Sequence, residues 1–126
     1  MARLFQARYK AQPDNPYFAA LLSVANAAVG EKDSALKEAE RAVTLLPSVK
    51  DRVMGPAFEE HLALIQMIFG DNSRAISALM RLLQTPYGGW VYAETPVTPA
   101  LLRLDPLWDP LRADPAFQKL CEEKQP

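Results

Sequence analysis

Residues 15–47 read NPYFAALLSVANAAVGEKDSALKEAERAVTLLP, and their apolar, glycine and proline residues have the spacing of a helical structure. Asn15 is a suitable helix N-cap, Pro16 suits the first helical position, and Gly30 is a typical helix terminator. Between Gly30 and Pro47, apolar residues recur at three- and four-residue intervals, which is the period of an amphipathic helix. The stretch therefore predicts two helices joined by a short turn, that is, an antiparallel helical hairpin.

A second stretch repeats this plan. Residues 55–86 read GPAFEEHLALIQMIFGDNSRAISALMRLLQTP, again with a central glycine and a closing proline. Gly30 and Ala35 are five residues apart, and so are Gly70 and Ala75. No comparable run alternates apolar and polar residues with period two, so the predicted fold class is all-α.

The two hairpins resemble tetratricopeptide repeats. Pro13 and Pro47 lie 34 residues apart, which is the length of one such unit, although Ala19 and Glu59 stand where an aromatic residue is usual. Small residues at fixed positions let the helices of a hairpin approach closely, and each hairpin buries its apolar stripe on the next. The resemblance implies a stack of hairpins with structural repeat positions at Leu22, Gly30, Ala35, Ala42 and Pro47 in the first unit and Leu62, Gly70 and Ala75 in the second.

This alignment divides the chain, taken as one domain over residues 1–126, into four parts. Residues 15–48 and 49–86 are the two units, the second with an insertion at its start. Residues 1–14 correspond to the second helix of a truncated unit, and residues 87–126 to a connector and a capping tail. Because the chain begins inside a repeat, we expect it to be a piece of a longer array; a simple N-terminal capping helix is the alternative.

Three Asp-Pro pairs mark the tail, where residues 104–117 read LDPLWDPLRADPAF. An aspartate N-cap accepts hydrogen bonds from the free amides of the first turn, and a proline at the next position has no amide to leave unpaired. Short helices are therefore predicted to begin near residues 99, 106 or 110, and 115. The predicted caps are Asp105, Asp109 and Asp114, and the residues predicted to pack on the last hairpin are Leu104, Trp108, Leu111 and Phe117.

A metal site built from these aspartates is the alternative. The three carboxylates lack the alternating spacing of a calcium-binding loop, and no histidine is near them in the sequence. We therefore expect helix caps, with no metal ion and no cofactor.

The tail has the more specific resemblance. PALLRLDPLWDPLRADPAFQKL, at residues 99–120, and the second hairpin before it resemble the C-terminal repeat region of certain large bacterial signalling proteins. In those proteins a serine/threonine kinase, an adenylate cyclase or a winged-helix DNA-binding domain precedes tetratricopeptide repeats that end in such a stretch. The resemblance implies a regulatory or protein-interaction module of a longer chain, because none of the catalytic motifs of those proteins is present.

The same resemblance implies a concave groove for a protein or peptide partner. The candidate groove residues are Tyr17, Ala20, Val24, Ala57, Glu60, Leu64 and Met67, which are mostly apolar. An exposed apolar groove is a liability in a soluble monomer. Either a hydrophobic peptide binds there or the chain's own tail fills it, while the unpaired end of the stack is a candidate surface for homodimers or other homo-oligomers.

Composition narrows the classes of function. Lys and Arg number 14 against 15 Asp and Glu, without a basic stripe, which argues against a nucleic-acid partner. No apolar stretch is long enough to cross a membrane. The single cysteine, Cys121, excludes an intrachain disulfide, fits a reducing cytoplasmic location, and is expected to be a partly buried packing residue.

The only histidine, His61, follows Glu59 and Glu60. We expect these residues on a solvated helix face, because no serine or cysteine nucleophile stands in a recognisable context. The predicted function is a non-catalytic scaffold. A small hydrolase or metal-dependent enzyme built on Glu60, His61 and the tail aspartates is the alternative.

Overall fold

The computed structural model describes residues 15–46, 55–84 and 97–122, and all regular structure in these ranges is helical. Four longer helices come first: α1 (Pro16–Ala28), α2 (Lys32–Leu45), α3 (Gly55–Ile68) and α4 (Asn72–Leu82). The tail then contains α5 (Pro99–Leu104), a 3-10 helix (Pro106–Leu111) and α6 (Pro115–Glu122). The predicted all-α class is confirmed for these residues. No helix among them is both long enough and apolar enough to cross a membrane.

Some expectations fall outside the described residues. They concern the truncated repeat at residues 1–14, the closing Pro47, the insertion that opens the second unit, and the connector as far as residue 96. The proposed division of the chain into repeats stays a prediction.

α1 begins where the sequence predicts. Asn15 has an extended backbone, and its Oδ1 accepts hydrogen bonds from the amides of Tyr17 (2.9 Å) and Phe18 (3.4 Å). Pro16 occupies the first helical position, where no amide partner is needed. Local chemistry alone is enough to fix this helix start.

The two hairpins have the same turn. Gly30 has a φ of +79°, a conformation that glycine adopts without steric cost and other residues avoid. The Gly30 amide donates to the Ala27 carbonyl (3.1 Å), and the Glu31 amide donates to the Asn26 carbonyl (2.9 Å), which is a Schellman motif. The turn at Gly70, with a φ of +85°, has the same pair of bonds, at 3.0 and 2.8 Å. Both first helices therefore end in the same way.

Small residues lie where the two helices of each hairpin meet. Ser23 in α1 and Ala35 in α2 are fully buried, and the Ser23 hydroxyl donates a hydrogen bond of 2.8 Å to the Ala35 carbonyl. Ala63 and Ala75, each 40 residues further along, are fully buried at the corresponding places of the second hairpin. Larger side chains here would push the helices apart.

Two small apolar clusters join the hairpins to each other. In one, Phe58 of α3 packs with Ala19 and Ala20 of α1 and with Ala42 of α2. In the other, Ile65 of α3 packs with small residues of α2. α3 is thus the helix through which the first hairpin contacts the second.

The largest cluster joins the second hairpin to the tail. Leu64 of α3 and Leu79 of α4 lie in one buried cluster with Trp108, Leu111 and Phe117. The 3-10 helix contacts α3, and α6 contacts α4. The main core of the described structure therefore combines residues of α3 and α4 with residues of the tail.

The close approach in the first hairpin is tested by Ala35→Leu. Overpacking at this fully buried position should lower the free energy of unfolding by about 1–3 kcal/mol. Ala28→Leu, at an exposed position of α1, is the control and should change it by less than about 0.5 kcal/mol in chemical denaturation. Equal stability of the two variants would mean that the helix crossing is not at Ala35.

Candidate functional site

The candidate groove is largely covered. Tyr17 is 39% exposed, with its ring edge-on to Phe58 at a centroid distance of 5.3 Å, and Val24 is half-buried. The remaining candidates are buried: Ala20, Ala57, Glu60, Leu64 and Met67. Of these, the three apolar residues from α3 belong to the cluster that contains the tail aromatics. In the second hairpin, the face expected to hold a partner therefore packs within the same core as the tail.

Three polar side chains start the short helices of the tail. The Thr98 hydroxyl accepts from the Leu101 amide (3.1 Å) at the start of α5. Asp105 Oδ1 accepts from the Leu107 amide (3.0 Å) at the start of the 3-10 helix. Asp114 Oδ1 accepts from the amide of Ala116 (2.9 Å) at the start of α6. Two of the three Asp-Pro pairs thus stand at helix starts.

Asp109 does not have the capping role that we expected. It lies in the first turn of the 3-10 helix, which continues through Pro110 to Leu111. Its Oδ1 instead accepts a hydrogen bond of 2.6 Å from Nε of Arg112, three residues along the chain. Residues three apart lie on the same helix face, so Asp109 can pair with Arg112. Because the 3-10 helix continues past Asp109, no new helix begins there for Asp109 to cap.

Leu104 was expected to pack on the last hairpin, and this expectation is wrong: the side chain is 77% exposed. The buried residues of α5 are Pro99 and Leu102, and Leu102 is fully buried. Residues two apart in a helix lie about 200° apart around its axis, so burying Leu102 turns Leu104 toward solvent.

Arg112 binds the end of α5. Its Nη1 donates to the carbonyls of Leu102 (3.0 Å) and Arg103 (2.6 Å), and its Nη2 donates to the carbonyl of Asp105 (2.7 Å). Carbonyls at a helix C-terminus lack intrahelical partners and form the negative end of the helix dipole, so a fixed guanidinium there is favourable. Together with the Asp109 pair, these bonds hold α5 against the 3-10 helix.

Two further bonds complete the tail. Arg103 Nη1 donates to the carbonyl of Cys121, and Gln118 Nε2 donates to the carbonyl of Arg112 at 2.9 Å. These acceptors, like those of Arg112, belong to the tail itself. The tail is thus a small unit with a polar network of its own and apolar residues in the core with the second hairpin.

No sequence pattern predicted the role of Arg112. The only available signal was the Asp-x-x-Arg spacing from Asp109, which is common on solvated helix faces. Its backbone acceptors depend on the angle between two helices, which the residue pattern does not give.

Glu60 and His61 are both buried, which corrects the expectation of a solvated helix face for these two residues. The His61 side chain is 1% exposed and faces α1, where the Ala20 backbone is a hydrogen-bond partner. Burial lowers the pKa of His61 to about 4, and the Ala20 hydrogen bond acts in the opposite direction. The imidazole is therefore neutral at pH 7 and lies at the junction of the two hairpins rather than in an open site.

Cys121 lies on the buried side of α6. Burial raises the pKa of the thiol, while the nearby charges of Arg112 and Arg103 act in the opposite direction. The thiol is thus protonated at neutral pH and lacks the thiolate character of a nucleophile. Within residues 15–46, 55–84 and 97–122, no three His, Cys, Asp or Glu side chains are grouped closely enough to hold a metal ion.

Comparison with known proteins adds no relative. No family model matches the chain, and neither a curated protein nor a solved structure is significantly similar to it. Any assignment therefore depends on the residues and packing described above.

The role of Arg112 is tested by Arg112→Met, which keeps an aliphatic stem but removes the donors. We expect a loss of about 2–3 kcal/mol in the free energy of unfolding, because carbonyls at the end of α5 lose a charged partner. Arg74→Met is the matched control. Arg74 is 72% exposed and pairs with Asp71 at 3.5 Å, so the change should cost less than about 1 kcal/mol. Similar losses would show that Arg112 has no special role.

Burial of the tail aromatics is tested by Trp108→Ala. Removing this buried ring should cost about 3–5 kcal/mol, measured by denaturant unfolding. Leu104→Ala, four residues away and exposed, should be close to neutral. A neutral Trp108→Ala would contradict the packing of the tail on the second hairpin.

The buried His61 predicts a pH dependence of stability. Its folded-state pKa, about 4, lies below the ordinary value of 6.5, so the unfolded chain takes up the proton first as the pH falls. Above pH 6.5 the free energy of unfolding is not reduced by protonation of His61. At pH 4, protonation of this group in the unfolded chain lowers it by about 3 kcal/mol.

The measurement is the free energy of unfolding between pH 7 and pH 4 for the parent and for His61→Leu. Other titrating groups are shared by both proteins, so their difference isolates His61. We expect the variant to lose about 3 kcal/mol less across this range. Parallel curves would mean that His61 is accessible to protons in the folded state.

Proposed function

We propose that this chain is a non-catalytic protein–protein interaction module of the tetratricopeptide repeat type. The main support is the match between the two hairpins. Each has a Schellman turn at a glycine, Gly30 or Gly70, and each has fully buried small residues where its helices meet. Helical units that repeat in this way stack on their neighbours and present extended surfaces to other proteins.

The side chains considered for catalysis are buried or are engaged in helix caps and an ion pair, which favours a scaffold over a hydrolase. Glu60 and His61 are buried in α3. Asp105 and Asp114 accept hydrogen bonds from amides at helix starts, and Asp109 pairs with Arg112. A catalytic group needs access to substrate and a partner within hydrogen-bond reach of it.

We also propose that this module is part of a longer protein. The tail sequence resembles the end of bacterial signalling proteins, so we propose that this module is their kind of C-terminal regulatory region. The coding sequence upstream of Met1 tests this. A kinase, cyclase or winged-helix domain in the same frame would support the proposal, whereas an immediate stop codon would contradict it.

Binding of a partner is tested by photo-crosslinking in the native host. A photoreactive amino acid is placed at one exposed position of each long helix: Tyr17, Lys37, Ile68 or Ser77. An interaction module should give a discrete adduct with another protein from one or two of these positions. Adducts at multiples of the chain mass would instead support homo-oligomerisation, the alternative function.

An absence of adducts from every position would contradict the proposal. So would hydrolytic activity of the purified chain that is lost on conservative replacement of Glu60 by Gln. The Glu60→Gln variant keeps the volume of the side chain, so a loss of activity would reflect chemistry rather than packing.

A further inference from the structure

A cleft of about 350 Å³ lies between α2, α3 and α4. Val43 of α2, Leu62 of α3 and Ala78 of α4 give it apolar walls. Two of the α3 residues of the cleft, Leu62 and Gln66, lie on the opposite side of that helix from Leu64, which packs with the tail. The tail therefore covers one side of α3 and leaves this other side open.

The cleft contains a buried amide oxygen without a hydrogen bond. Gln66 lines the cleft and is only 7% exposed, and the described residues supply no donor to its Oε1. A buried acceptor left without a donor costs free energy, so such groups in native proteins call for a partner. An N–H group of a bound ligand would provide one.

Two arginines lie along the rim. Arg74 and Arg81 are seven residues apart on α4, which is about two turns, so they share one side of the helix. Arg74 pairs with Asp71 at 3.5 Å, an exposed and therefore weak pair that a ligand carboxylate can replace. Among the described residues of the lining, Glu59 on α3 is the acidic one, so these residues together carry a net positive charge.

We propose that this cleft binds a peptide segment of a partner protein that presents a carboxylate side chain beside an aliphatic one. The arginines hold the carboxylate, since a guanidinium matches its two oxygens. The apolar walls hold the aliphatic neighbour, and Gln66 accepts from a peptide N–H. The inference rests on the proposed interaction function, and it places binding outside the concave groove.

The probe is a fluorescein-labelled peptide, acetyl-Gly-Leu-Glu-Leu-Glu-Gly-amide, and its uncharged analogue has Gln in place of each Glu. Fluorescence anisotropy measures binding of both to the whole chain. We expect the Glu peptide to bind about tenfold more tightly or better, and the difference to shrink at high salt. Equal binding of the two peptides, or no binding of either, overturns the proposal.

Charge-reversed variants locate the site. Arg74→Glu with Arg81→Glu should weaken the Glu peptide by about tenfold or more. Lys32→Glu with Lys119→Glu alters the net charge equally at exposed positions outside the cleft, and should change binding less than about twofold. Equal effects of the two pairs would show attraction by net charge alone and overturn the proposal.

Nuclear magnetic resonance supplies a readout that does not depend on variants. On titration with the Glu peptide, the side-chain amide of Gln66 and the backbone amide of Ser77 should shift together. Shifts confined to the groove residues of α1 would overturn the proposal. So would light scattering that shows a dimer of the parent chain dissociated by the Arg74 and Arg81 changes, since a second copy would then occupy the cleft.

These results separate the two proposals. Crosslinked adducts that persist in the Arg74→Glu, Arg81→Glu chain would leave the interaction function standing and overturn the cleft as its site. An absence of adducts from the parent chain would overturn both.

Discussion

Burial of the apolar side of the second hairpin joins that hairpin and the tail in one core. Leu64, Leu79 and their neighbours form a surface that two hairpins alone would leave in water. An apolar helix side must be covered by another element of the structure. Trp108, Leu111 and Phe117 supply that cover, so the tail belongs to the same core as α3 and α4.

Caps and a polar network hold the short helices of the tail in place over the second hairpin. Three very short helices have little stability of their own. They are held by N-caps at Thr98, Asp105 and Asp114 and by Arg112, whose guanidinium joins the end of α5 to the 3-10 helix. The donors and acceptors of this network all lie in the tail. The contact between the tail and the hairpin is made by the apolar residues of the tail.

Local chemistry made much of the fold predictable from the sequence. Asn15-Pro16, Asp105-Pro106 and Asp114-Pro115 mark helix starts because capping involves only neighbouring residues. Gly30 and Gly70 mark the hairpin turns for the same reason.

The errors concern contacts between helices. His61 is buried because α1 lies against α3, and no periodicity within α3 reveals that neighbour. Asp109 and Leu104 depend on how the 3-10 helix follows α5. The Gln66 cleft needs three helices in place, so the sequence alone gave no indication of it.

The most direct test of this account is amide hydrogen exchange in a chain that lacks residues 98–126. If the tail completes the core, the amides of α3 and α4 will lose most of their protection, and the shortened chain will self-associate through its uncovered apolar surface. If the shortened chain stays monomeric and its α3 and α4 amides exchange as slowly as in the parent, the tail is not part of the core.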